Sequence, residues 1–111
     1  LDYAAEQAAL GKTVGDDFRE GKVTLPVILA YQAGDEDERA FWKRTIEDLE
    51  QNDDDLAEAQ RLMVKHGTLE ASLDRARQYA GAARAALDGF PANPYRAALE
   101  ELVDFCVERA Y

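Results

Sequence analysis

Cysteine occurs once in the 111 residues, at Cys106. That excludes an intramolecular disulfide framework and a cysteine-based zinc site, and it suits a reducing cytosol. Proline occurs three times, and methionine and tryptophan once each. Basic residues are few: 13 Lys and Arg stand against 23 Asp and Glu, a formal net charge of −10. Duplex DNA and anionic membrane surfaces would repel such a chain and are excluded as general partners. Val, Ile and Thr together supply only 12 residues, which disfavours extended structure relative to helix. No apolar run approaches the ~18 residues of a membrane span, so neither a transmembrane helix nor a signal peptide is expected.

What is present points to folded helices. Apolar residues make up 47% of the chain, too many for a disordered acidic tail. Alanine alone supplies 20. A chain of this length suits one domain at most, burying roughly two-thirds of its unfolded surface. Lys65-His66-Gly67 reads as a helix C-terminus, with cations over the last turn and a glycine able to adopt positive φ. Asn93-Pro94 reads as an N-cap followed by proline at the first helical position, and Thr24 as an N-cap with Pro26 in its first turn. Over residues 68–88, Leu69, Leu73, Ala76, Ala80, Ala83 and Leu87 form one continuous helical stripe. Over 94–110, Tyr95, Leu99, Leu102, Cys106 and Ala110 repeat at helical spacing, joined by Ala98, Val103 and Phe105. The expectation is an all-α chain of five or six helices. The first residue is Leu rather than Met, and Leu1-Asp2-Tyr3-Ala4-Ala5 enters a helical pattern uncapped, as in a piece of a longer protein.

The acidity is lopsided. Residues 1–55 carry 15 acids and 6 bases, whereas 56–111 carry 8 acids and 7 bases. Within the acidic half, residues 10–22 hold Gly11, Gly15 and Gly21 among charges and read as a loop without hydrophobic period. Gly11-Lys12-Thr13 imitates a phosphate-binding P-loop, but the position that should hold its first glycine is Glu6. What remains is Lys12 and Lys22 flanking Asp16 and Asp17, near Asp2. Carboxylates hold Mg²⁺, and Mg²⁺ with lysine neutralises phosphate oxygens. A solvated interhelical loop with incidental charges fits the same residues.

Leu1-Asp2-Tyr3 and the run GKTVGDDFREGKVTLP from Gly11 to Pro26 resemble the region after the second aspartate-rich motif of trans-polyprenyl diphosphate synthases. The likeness is to the long-chain branch (octaprenyl, solanesyl and decaprenyl types) that makes ubiquinone side-chain precursors. The run from Gly67 through Leu69-Glu70-Ala71 and Asp74-Arg75-Ala76, and the closing Leu102 to Arg109, are also similar to that family. The resemblance implies the C-terminal helices of the isoprenoid (terpenoid) synthase bundle, with the upstream two-thirds outside residues 1–111. Asp2 would be the last aspartate of the family's Asp-Asp-x-x-Asp motif and, with Asp16 and Asp17, a Mg²⁺ ligand. Lys12 and Lys22 would contact diphosphate. It further implies isopentenyl diphosphate and a geranyl- or farnesyl-type allylic diphosphate as substrates, a homodimeric parent, a cytoplasmic location, and inactivity of residues 1–111 alone. No nucleic-acid partner is implied.

The other notable residues have plainer expectations. Asp35 to Glu38 read as a solvated first turn, Asp53 to Asp55 as a helix-start cap, and His66 as a C-terminal dipole partner. Phe41 and Trp42 read as packing residues, and Cys106 as core. A competing reading from another class is a small acidic helical adaptor that binds a protein partner through the 94–110 apolar face.

Overall fold

The computed structural model describes residues 3–108. Among them are six α-helices and no strand: α1 (Tyr3–Arg19), α2 (Leu25–Ala33), α3 (Glu36–Trp42), α4 (Asp55–Lys65), α5 (Thr68–Leu87) and α6 (Pro94–Glu108). A π-helical turn, Lys43–Glu47, continues α3. The chain divides into two compact units at Ser72–Leu73, inside α5.

In the first unit, Leu10, Val14 and Phe18 lie four residues apart on one face of α1 and are 6%, 2% and 0% exposed. That spacing is a helical stripe, and it makes Gly11 to Arg19 helix rather than the loop expected for 10–22; only the last residues of that segment leave the helix. The glycines serve close approach instead of flexibility. A Cβ on Gly11 would lie 3.3 Å from Leu69 Cδ1, and one on Gly15 would lie 3.5 Å from Leu56 Cδ1 and 3.8 Å from Gln60 Nε2. Those contacts at Gly15 are ordinary van der Waals distances. Gly15→Ala is therefore expected to stabilise the protein by about 0.5–1 kcal/mol through helix propensity, a rise that urea denaturation would register.

Val27 and Ala30 of α2, Trp42 of α3, and Ala59, Leu62 and Met63 of α4 are buried as well, with α4 packed on both α1 and α2. Phe18 stacks on Phe41 with ring centres 6.2 Å apart and meets Trp42 edge-on at 6.0 Å. The packing role expected of Phe41 and Trp42 holds. Thr24 is the N-cap of α2 and Pro26 lies in its first turn, though the Thr24 side chain makes no capping hydrogen bond.

The first turn of α3 differs from expectation. Asp35 Oδ1 caps it by accepting from the Glu38 backbone N–H at 2.9 Å, but Glu38 itself is buried rather than solvated. Its carboxylate accepts from Lys65 Nζ at 2.9 Å and faces His66 Nε2 at 2.7 Å. These bonds clamp the start of α3 to the end of α4, so His66 is more than a dipole partner. Chiefly the His66 hydrogen bond, then that of Lys65, pulls the Glu38 pKa from 4.5 to about 2. A lowered folded-state pKa means the clamp stabilises the protein above about pH 4.5 and is lost as pH falls toward about 2. Thermal midpoints of the native protein and Glu38→Gln should therefore converge across that window and stay apart above it. Parallel pH profiles would contradict this role.

Asp53 to Asp55 do stand at a helix start, yet Asp54 makes no capping hydrogen bond. Asp55 is buried and takes a two-pronged hydrogen bond from Arg44, at 2.9 Å on each oxygen.

In the second unit, α5 has the predicted stripe, with Leu73 and Ala80 buried. Asn93 caps α6, its Oδ1 accepting from the Arg96 backbone N–H at 2.9 Å. Arg96 also donates to Phe90 O and Asp88, fastening the 88–93 turn to α6, and Arg84 pairs with Asp104. On α6, Tyr95, Leu99, Leu102 and Phe105 are exposed. Cys106 is exposed too, not core as expected. Its apolar period marks a face that the described residues leave open.

Candidate functional site

The charged residues singled out from sequence lie on the C-terminal half of α1 and the turn after it. Burial of Leu10, Val14 and Phe18 fixes the rotation of α1. Lys12 and Asp16 follow one another by a helical turn on the exposed side. Neither side chain has a hydrogen bond or ion pair among the described residues. Asp17, next along, lies about 100° further round the helix and is half-buried. Asp2 lies outside the described residues.

Lys22 is brought back toward the helix by a tight turn. The Asp17 carbonyl accepts from the backbone N–H of Glu20 at 3.1 Å and of Lys22 at 2.9 Å, and the Phe18 carbonyl accepts from Gly21 N–H at 3.0 Å. Gly21 adopts φ +74° there. Lys22 Nζ then lies 2.9 Å from Glu20 and 3.7 Å from Asp17. The Glu20 carboxylate, by hydrogen bond and then by charge, raises the Lys22 pKa, with Asp17 adding to it. Lys22 is thus a fixed cation at the surface, and Lys12 a second, unengaged one.

Sequence reading brought together Lys22 and Asp17 and missed Glu20 as a partner of Lys22. It also missed what holds the turn from outside. Arg19 donates to the carbonyls of Asn52 and Asp53 at 3.0 and 3.2 Å. Gln51 Nε2 donates to the carbonyls of Phe18 and Thr45 at 2.8 and 3.0 Å. No local pattern could reveal partners more than thirty residues away.

Among the described residues, no group of three or more His, Cys, Asp and Glu side chains could hold a metal ion. Asp16 and Asp17 nevertheless suit Mg²⁺ chemically. That ion takes oxygen ligands, commonly one or two carboxylates completed by water and substrate phosphate. Two carboxylates beside two ammonium groups can face a phosphate anion through an intervening cation.

Comparison with known proteins bears on that chemistry. Residues 1–63 match the polyprenyl synthetase family. The octaprenyl diphosphate synthase of Haemophilus influenzae is 36% identical over 111 residues, all of this chain and 33% of that protein. Among solved structures, a decaprenyl diphosphate synthase from Rhodobacter capsulatus matches with a TM-score of 0.78 at 50% identity, over 94% of this chain and 34% of that one. A polyprenyl synthase from Caulobacter crescentus CB15, complexed with calcium and isoprenyl diphosphate, matches with a TM-score of 0.68 at 50% identity, over 87% of this chain and 30% of that one. The chain spans about a third of the length of the relatives it matches.

Proposed function

This chain belongs to the polyprenyl synthetase family, and from that premise we propose that it is the C-terminal portion of a polyprenyl diphosphate synthase. The activity is condensation of isopentenyl diphosphate with a geranyl- or farnesyl-type allylic diphosphate. The observation that supports it is the placement of Lys12, Asp16, Asp17 and Lys22 along one helix half and its turn. In the relative from Caulobacter crescentus, a divalent cation and an isoprenyl diphosphate occur together, the combination those residues suit.

The chemistry asks for such residues and no nucleophile. The allylic C–O bond breaks, and its electron pair leaves with pyrophosphate. The double bond of isopentenyl diphosphate attacks the resulting carbocation, and loss of a proton restores a double bond. Charge develops on the departing diphosphate, and fixed cations aimed at it lower the barrier. Lys12 and Lys22 supply that charge from this chain. Asp16 and Asp17, with Asp2, would hold Mg²⁺, which when bound adds positive charge against the same oxygens. The full protein on this reading is a cytoplasmic homodimer.

The test is an assay of the full-length protein with both diphosphates and Mg²⁺. Chain elongation that stops on chelation and resumes on adding Mg²⁺ is expected, and residues 1–111 alone should give no product. Product from residues 1–111 by themselves would contradict the assignment. The exposed α6 face, with Tyr95 82% exposed, supports the alternative of an adaptor that binds a protein partner. The gene sequence immediately upstream of Leu1 separates the two: Asp-Asp-x belongs to the synthase, and an initiating Met to the adaptor.

A further inference from the structure

Lys22 owes its place to a segment distant in sequence. The loop after the π-helical turn touches the α1 terminus at three successive points. Gln51 donates to the Phe18 carbonyl, and Arg19 donates to the carbonyls of Asn52 and Asp53. Leu49 covers Gly21 so closely that a Cβ on the glycine would fall 2.2 Å from Leu49 Cδ2. Phe18, Arg19 and Gly21 are the residues of the turn that delivers Lys22.

The loop is itself held in an unusual shape. Leu49 has φ +56°, a left-handed conformation unfavourable for a non-glycine residue. The π turn arises where Asp48 N–H reaches back to the Lys43 carbonyl at 3.0 Å. Glu50 N–H bonds the Arg44 carbonyl at 2.9 Å, and Gln51 Nε2 takes up the Thr45 carbonyl. Asp55 fixes the far end by accepting from Asn52 N–H at 2.8 Å while Arg44 grips its carboxylate. One amide, that of Gln51, therefore ties the π turn to the Phe18 carbonyl at the end of α1.

From this geometry we infer that Gln51 is a positioning residue for the diphosphate site, holding the 18–22 turn so that Lys22 faces the anion. Arg19 acts alongside it. Neither touches the substrate, and both act through Lys22. The inference rests on the synthase reading above.

The experiment measures Mg²⁺-dependent pyrophosphate affinity of the full-length protein by calorimetry. Gln51→Met keeps the side-chain length and removes the donor. It is expected to weaken affinity about five- to tenfold, the loss of about one well-placed hydrogen bond. Arg19→Met should act in the same direction, so the test does not depend on one variant folding. In a Lys22→Ala background, both substitutions should have no further effect on affinity while still lowering the thermal midpoint. A purely structural role would instead weaken binding equally in both backgrounds, which overturns the positioning and leaves the synthase site standing. Unchanged affinity in Gln51→Met and Arg19→Met alone also overturns it. Unchanged affinity in Lys22→Ala overturns site and positioning together.

Discussion

Lys22→Ala in the full-length protein is expected to lower kcat by about 10²–10³-fold, the usual cost of removing one preorganised charge donor from a developing anion. The Lys22 side chain is 61% exposed, so its removal opens no cavity and should leave the folding midpoint close to the native value. The loss therefore falls on chemistry rather than on stability. Its pKa is raised, first by the Glu20 hydrogen bond, so the side chain remains an ammonium through the neutral range. A pH–rate profile should show no limb from Lys22 there. Lys22→Arg keeps the charge on a planar, bulkier group and should recover only part of the rate. Lys12→Ala should also lower turnover, and the double variant should lose more than either alone if the two cations meet different diphosphate oxygens. Full turnover in both single variants would remove these lysines from the site.

The parts of this structure that were legible in the sequence are those where a single helix contains its own evidence. The α5 stripe from Leu69 to Leu87 needs no partner to be recognised, and Leu73 and Ala80 are buried as it requires. The cap at Asn93 is a three-residue signal and forms as a three-residue bond. The misreadings occur where a second helix decides. Gly11 and Gly15 suggest flexibility alone, and only Leu69 and Leu56 pressing on them shows that they permit close packing. Their presence obscured Leu10, Val14 and Phe18, whose spacing was as regular as that of α5. Glu38 sits in an acidic first turn and would be solvated, had Lys65 and His66 not been folded onto it. Cys106 shows the converse. Periodicity marks an apolar face of α6 without saying what covers it, and the residue is exposed.

For the candidate site the division is similar. Lys12, Asp16, Asp17 and Lys22 are close in sequence, so their proximity could be anticipated, whereas the helix that carries the first three was read as a loop. The supports of that turn, Gln51 and Arg19, make bonds across 33 or 34 residues and leave no mark in local composition. The π turn that aims Gln51 is equally hidden, because Lys43 to Glu47 carry no residue type that demands it.

Phe18 is where the fold and the site depend on one residue. Its ring is fully buried between Phe41 and Trp42, and its carbonyl accepts from both Gly21 and Gln51. The ring anchors the end of α1, and the carbonyl starts the turn that carries Lys22. Phe18→Ala is expected to destabilise the protein by about 3–5 kcal/mol, since it deletes a large buried side chain and leaves a cavity. Two edge or stacked aromatic contacts are lost with it. That is a large share of the ~5–15 kcal/mol that holds a typical domain together, so urea denaturation should show a much lower midpoint. Phe18→Leu fills most of the space and should cost less, while leaving the carbonyl and its two donors in place. Its pyrophosphate affinity should then stay near native although its stability does not. That dissociation separates anchoring by the ring from positioning by the backbone, and an affinity that falls in step with stability would show the two to be one function.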